Sequence, residues 1–90
     1  MKELLEKLFE PGKRYTGGKI VFIKEQGVRE SAQIIQDEIA VQLLVVAKNF
    51  TKPKRPNLQV VKEKGISLSF TVEIETNNEG LVAKDVQFEL

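Results

Sequence analysis

The sequence predicts a small, mainly β fold: a five-stranded antiparallel barrel with a short N-terminal helix. Three observations lead there. Ninety residues make one domain with a thin core. In the run from Gly65 to Thr76, Ile66, Leu68, Phe70, Val72 and Ile74 alternate with Ser67, Ser69, Thr71, Glu73 and Glu75. That period of two gives a strand one buried and one wet face. Further short runs rich in β-branched residues lie between Gly, Pro and Asn. A sheet of four to six such strands is best stabilised by closing on itself, which a small barrel does most economically.

Each element follows from its own pattern. Over residues 1–10, Leu4, Leu5, Leu8 and Phe9 recur at helical spacing among charges, and Pro11-Gly12 ends the helix. Lys19 to Lys24 (KIVFIK) is a strand, and Gly17-Gly18 before it marks a turn or a close backbone approach. Val28 to Phe50 supports two readings. As strands, Ala32–Gln36 and the alternating run from Ile39 to Ala47 flank a turn at Asp37-Glu38, and the β-branched residues favour this. As one helix over 30–49, Ala32, Ile35, Ile39, Leu43, Val46 and Phe50 share a face. That alternative gives an α+β fold, an antiparallel sheet packed with a middle helix.

Residues 49–57 (NFTKPKRPN) form a basic loop without regular structure, because Pro53 and Pro56 lack an N–H and restrict the residues before them. Asn57 to Glu63 is a short strand or irregular. The last two strands form an antiparallel hairpin around a turn at Thr76–Gly80. Alternation places Val82, Val86, Phe88 and Leu90 on one face, which also turns Lys84 inward, to a sheet edge or a snorkelling position.

Composition excludes most chemistry. The chain has no histidine and no cysteine, which removes cysteine nucleophiles, histidine-containing triads and the usual structural zinc ligands. Thr16–Lys19 (TGGK) lacks the spacing of a phosphate-binding loop. The paired carboxylates Glu73 and Glu75 read as a solvated strand face. No enzyme activity, no cofactor and no metal site are expected. The N-terminus has charges where a signal peptide needs an apolar run, so a cytoplasmic location is the default, with no membrane association.

Charge is distributed unevenly. Residues 11–64 carry eleven cations and five anions, whereas residues 65–90 carry one cation and five anions. The alternatives are chance clustering and one basic face opposite one acidic face.

Gly65, Leu68, Phe70, Val72, Gly80, Ala83 and Val86 occupy the places that pattern the last two strands of cold-shock domains. The segment from Thr16 to Gly27 (TGGKIVFIKEQG) looks like the first strand of that family. The resemblance covers about a third of the chain and implies an OB-type barrel. The family's aromatic-rich RNA-binding motifs are absent: Gly27–Glu30 and Ile39–Gln42 stand there without an aromatic or a histidine. The stacking surface therefore does not carry over. Only Phe22 matches an aromatic position of the first strand.

The functional expectation is binding of single-stranded DNA or RNA. Its candidate residues are the cations Lys13, Arg14, Lys19, Lys48, Lys52, Lys54 and Arg55, with Tyr15, Phe22 and Phe50 as aromatic platforms. Phe22 and Phe50 also fit as core residues. The alternative is a protein-interaction module, an adaptor, inhibitor or assembly subunit, resting on the amphipathic N-terminus, the two-signed charge and the apolar excess of Leu44 and Val46. Homo-oligomerisation is compatible with either.

Overall fold

The computed structural model describes residues 6–26, 29–75 and 80–89. Its longest strand, β1 (Tyr15–Gln26), serves two neighbours. Tyr15 and Gly18 pair with Phe70 and Leu68 of β5 (Leu68–Ile74), and Lys19 onward pairs with β2 (Arg29–Gln36), both antiparallel. The change of partner falls at Gly17-Gly18. Gly17 has φ +75°, and a Cβ on Gly18 would stand 2.5 Å from Phe70 Cε1 and 3.1 Å from Ile34 Cγ2. The double glycine thus makes the close approach its sequence suggested, at the corner where the barrel turns.

β2 and β3 (Ile39–Val46) form a hairpin across Asp37-Glu38, so the helical alternative over 30–49 is not formed. Ala32 and Ile34 of β2 and Leu43 and Val45 of β3 are all buried, a period-two burial that a helix cannot provide. The buried Gln36 ties the turn: its Nε2 donates to Thr16 O at 3.0 Å and its Oε1 accepts from the Glu38 N–H at 2.7 Å.

Two segments differ from expectation beyond β3. The chain makes a 3-10 turn at Ala47–Asn49 and then a short strand, β4 (Phe50–Lys52), inside the supposed irregular loop. Burial of Phe50 and the bond from Asn49 Nδ2 to Ala83 O, at 3.0 Å, hold the backbone along β6 (Leu81–Phe88) before the first proline is reached. Next comes the helix α1 (Leu58–Lys64), where a strand or irregular chain was expected. Asn57 caps it by accepting from the Gln59 and Val60 N–H groups, and Gly65 ends it at φ 62°. Leu58 and Val61, three residues apart, are buried against the barrel.

Among the described residues, the short helix is therefore not N-terminal. Of the segment expected to be helical, Met1–Leu5 lies outside the described residues and Glu6–Glu10 forms turns and bends. Phe9 is buried nonetheless and Leu8 packs beside it, so the segment docks on its own barrel. A hydrogen bond of 2.9 Å from the Glu10 N–H to the Tyr15 hydroxyl fastens it.

β5 and β6 form the predicted antiparallel hairpin. β6 also runs parallel to β3, with Leu44 opposite Val82, and to β4, with Phe50 opposite Val86. The ring closes in the order β1-β2-β3-β6-β5, back to β1, with β4 as a short addition beside β6. The barrel is thus mixed rather than wholly antiparallel, because β3 and β6 run the same way. Its interior holds Ile34, Leu43, Val45, Leu68, Phe70 and Val86, with Leu58 and Val61 of α1 joining the same core. Among the described residues, no helix is long and apolar enough to cross a membrane.

Two bulges decide which side chains face out. In β6, Asp85 has φ 48°, and the register shifts by one between Lys84 and Gln87. Ala83 and Val86 therefore both point inward, and Val82 and Lys84 face the outer surface. The inward Lys84 of simple alternation does not occur. In β1, Ile20 pairs with Ile34 but Phe22 with Gln33, so Val21 is the extra residue. The bulge turns Phe22 outward, to 56% exposure, where unbroken alternation from Ile20 would have buried it.

Candidate nucleic-acid interface

The outer surface of β1, β2 and β3 carries an ordered row of side chains. Phe22 pairs with Gln33, Gln33 with Leu44, and Leu44 with Val82. Neighbouring members on one face have Cβ atoms about 5 Å apart. Val82 is 6% exposed but stands outside the core cluster, which makes it floor of the outer face rather than interior. A second row runs through Lys24, Ser31 and Val46. Ile35 and Val41 add exposed apolar surface on β2 and β3. At the far end, Glu73 pairs with Val82 and supplies the row's one carboxylate.

The three aromatic candidates separate sharply. Tyr15 is 3% exposed and stacked on Phe70, with centroids 6.2 Å apart. Phe50 is 3% exposed and meets Phe88 edge-on at 6.1 Å. Both are core residues, and neither has a free ring face for a base. Phe22 alone of the three is presented to solvent.

The cations also separate. Lys13 is bound to Glu38 at 2.7 Å and lies over the Tyr15 ring. Hydrogen bonding to Glu38 raises its pKa, and the same bond holds the Glu38 carboxyl below its ordinary range. Arg14 grips Asp85 through both its carbonyl and its carboxylate. Thr51 of β4 donates to the other carboxylate oxygen at 2.6 Å. Those two partners, Thr51 first, hold the Asp85 carboxyl below its ordinary range. Lys19 donates to the Gly65 carbonyl at the end of α1. These three cations hold the fold together, and their charge is partly spent inside the molecule.

Lys48, Lys52, Lys54 and Arg55 are exposed. They follow the outer face in chain order: β3 ends at Val46, Lys48 lies in the 3-10 turn, and Lys52 ends β4. The segment from Pro53 to Asn57 is fixed at one end by the Thr51–Lys54 bridge and at the other by the Asn57 cap. The structure thus leaves four of the seven predicted cations and one of the three predicted aromatics exposed. Lys24 and Gln33, outside the sequence-based set, also stand in these outer rows. Lys24 was readable, since it stands two residues beyond Phe22 in KIVFIK; Gln33 gave no signal until the register was known.

Two carboxylates of the acidic C-terminal hairpin are engaged within the molecule. Asp85 is engaged by Arg14 and Thr51. Glu89 accepts from the Gly17 N–H and the Ser67 hydroxyl, and these bonds, Gly17 first, lower its pKa.

Comparison of the chain with protein-family models, with curated proteins and with solved structures gave no match. The class is therefore set by the fold: a small closed five-stranded β-barrel with, among the described residues, one short α-helix between β4 and β5, compatible with an OB-like fold.

Proposed function

We propose that this protein is a non-catalytic, OB-like binder of single-stranded nucleic acid. The bases lie on the outer face of β1–β3, and the phosphates meet Lys24, Lys48, Lys52, Lys54 and Arg55. The observation that carries this reading is Phe22. A bulge at Val21 re-aims a large aromatic from the core to the surface, beside an apolar row and a lysine. Exposing a ring this way forfeits its burial, and bulges of this kind recur next to functional sites. Single-strand binders combine such a ring with a basic track. The β2–β3 face is also the one that OB barrels offer to oligonucleotides.

Fluorescence-labelled oligonucleotides at ~50 mM salt test the proposal, a condition where phosphate contacts are strong. Phe22→Ala should weaken binding by about 1–3 kcal/mol, the worth of one stacked base. Its melting temperature should barely change, because the ring is exposed. Converting Lys52, Lys54 and Arg55 together to Glu should abolish binding while leaving the fold intact. A wild-type protein that retains no single-stranded DNA or RNA at this salt rules the proposal out. The exposed apolar row would then mark a protein-binding surface.

A further inference from the structure

We propose that Gln33 reads the base stacked on Phe22 and selects adenine; this rests on the single-strand-binding reading above. Gln33 is the register partner of Phe22 on the neighbouring strand. Its chain neighbours Ala32 and Ile34 are buried, so its side chain stands on the outer face. Leu44 flanks it on the other side. The surrounding polar groups are already engaged: Ser31 Oγ donates to Lys24 O, and the Gln36 amide bonds to Thr16 and Glu38. Among the described residues the Gln33 amide has no such partner. It is a half-buried polar group set between an aromatic ring and a leucine.

A base lying on Phe22 turns its edge toward the next strand, about 5 Å away, where this amide stands. The amide oxygen accepts from the N6 amine of adenine while the NH2 donates to a ring nitrogen, the bidentate pairing that glutamine makes with adenine. Cytosine offers a similar donor and acceptor on a smaller ring, which covers less of Phe22. Leu44 limits water at the amide, so an edge that fails to pair leaves a polar group unsatisfied. Lys24 and Lys48 are too long and non-directional to read an edge in this way and serve the phosphates.

The test compares oligomers of deoxyadenosine, thymidine and deoxycytidine of about twelve nucleotides, within the footprint range of one such barrel. Fluorescence anisotropy is read for the wild type and for Gln33→Leu, which keeps the side-chain size on the surface. The readout is the ratio of deoxyadenosine to thymidine affinity, so self-stacking of the free oligomers cancels between the two proteins. That ratio should fall by ~5-fold or more in the variant, the discrimination expected of one bidentate pair. An oligomer of purine nucleosides lacking the N6 amine should lose the same advantage with the wild type. An unchanged ratio in Gln33→Leu overturns the assignment while single-strand binding stands. Absence of binding to every oligomer overturns both.

Discussion

At the scale of single residues, the fold turns on places where one side chain too many, or none at all, is required. Gly18 is the clearest. A methyl group there would meet the Phe70 ring and Ile34, both fully buried. Gly18→Ala should therefore cost about 1–3 kcal/mol by overpacking, seen as a lower denaturant midpoint with an unchanged slope. Asp85 combines a left-handed backbone with three side-chain partners. Asp85→Gly and Asp85→Ala both lose those bonds, but only alanine is strained at φ 48°. The glycine variant should melt at the higher temperature; equal melting temperatures would mean that the bulge relaxes. Phe22 and Lys84 show why sequence reading falls short at this scale. Alternation assigns faces only while the register is unbroken, and one extra residue at Val21 or Asp85 inverts everything beyond it. Tyr15 and Phe50 were unreadable for another reason: lying next to cations in sequence says nothing about which way a ring points.

At the scale of elements, the five barrel strands were legible, and β4 and the helix were not. The β5–β6 hairpin was evident because each strand buries one face, while the turn at Asp37-Glu38 was favoured by β-branched residues over a helix across 30–49. α1 has seven residues, too few for a periodic stripe, and only Leu58 and Val61 are buried. Its signature lay in its ends instead, Asn57 before and Gly65 after. Asn57→Ala should cost about 1 kcal/mol in stability, measurable by chemical denaturation. The same substitution frees one anchor of the basic loop, so oligonucleotide affinity should fall with it. Of the N-terminal run, the described part from Glu6 to Glu10 is turns and bends, and Phe9 achieves burial from a bend. β4 was hidden by its prolines, which begin only after its last residue.

At the scale of the whole molecule, charge sets the response to solution conditions. Glu38, Asp85 and Glu89 each have a lowered pKa, so their stabilisation is present above the ordinary carboxylate range. It is lost as pH falls through their folded values. Lys13 is raised, so its contribution holds below about 10.4, its unfolded value, and is lost as pH rises through the folded one. Melting temperature should be flat from about pH 5 to pH 10 and fall on either side. Asp85→Asn combined with Glu89→Gln should flatten the acid limb. Binding should respond to salt rather than to this network. If Lys24, Lys48, Lys52, Lys54 and Arg55 each meet a phosphate, log affinity against log salt should slope at about −3.5. Changing Lys52, Lys54 and Arg55 to Gln should bring the slope to about −1.4. The charge clustering was visible in the sequence. Its division into cations engaged within the molecule and cations left exposed required knowing where Glu38, Asp85 and Gly65 stand.

β6 bonds to β3, β4 and β5, and it follows all three in the chain. During synthesis the β1–β2–β3 hairpins can form early, because their contacts are local, while the edges of β3, β4 and β5 wait for β6, which follows all of them in the chain. Until then the nascent chain exposes the kind of open edges that recruit other chains. A version stopped before Leu81 should collect as insoluble aggregate on expression, where the full chain stays dispersed. Sedimentation of the two after identical expression would show it. The seam that closes the barrel thus also sets an order: the ring is completed only once β6 joins strands made before it.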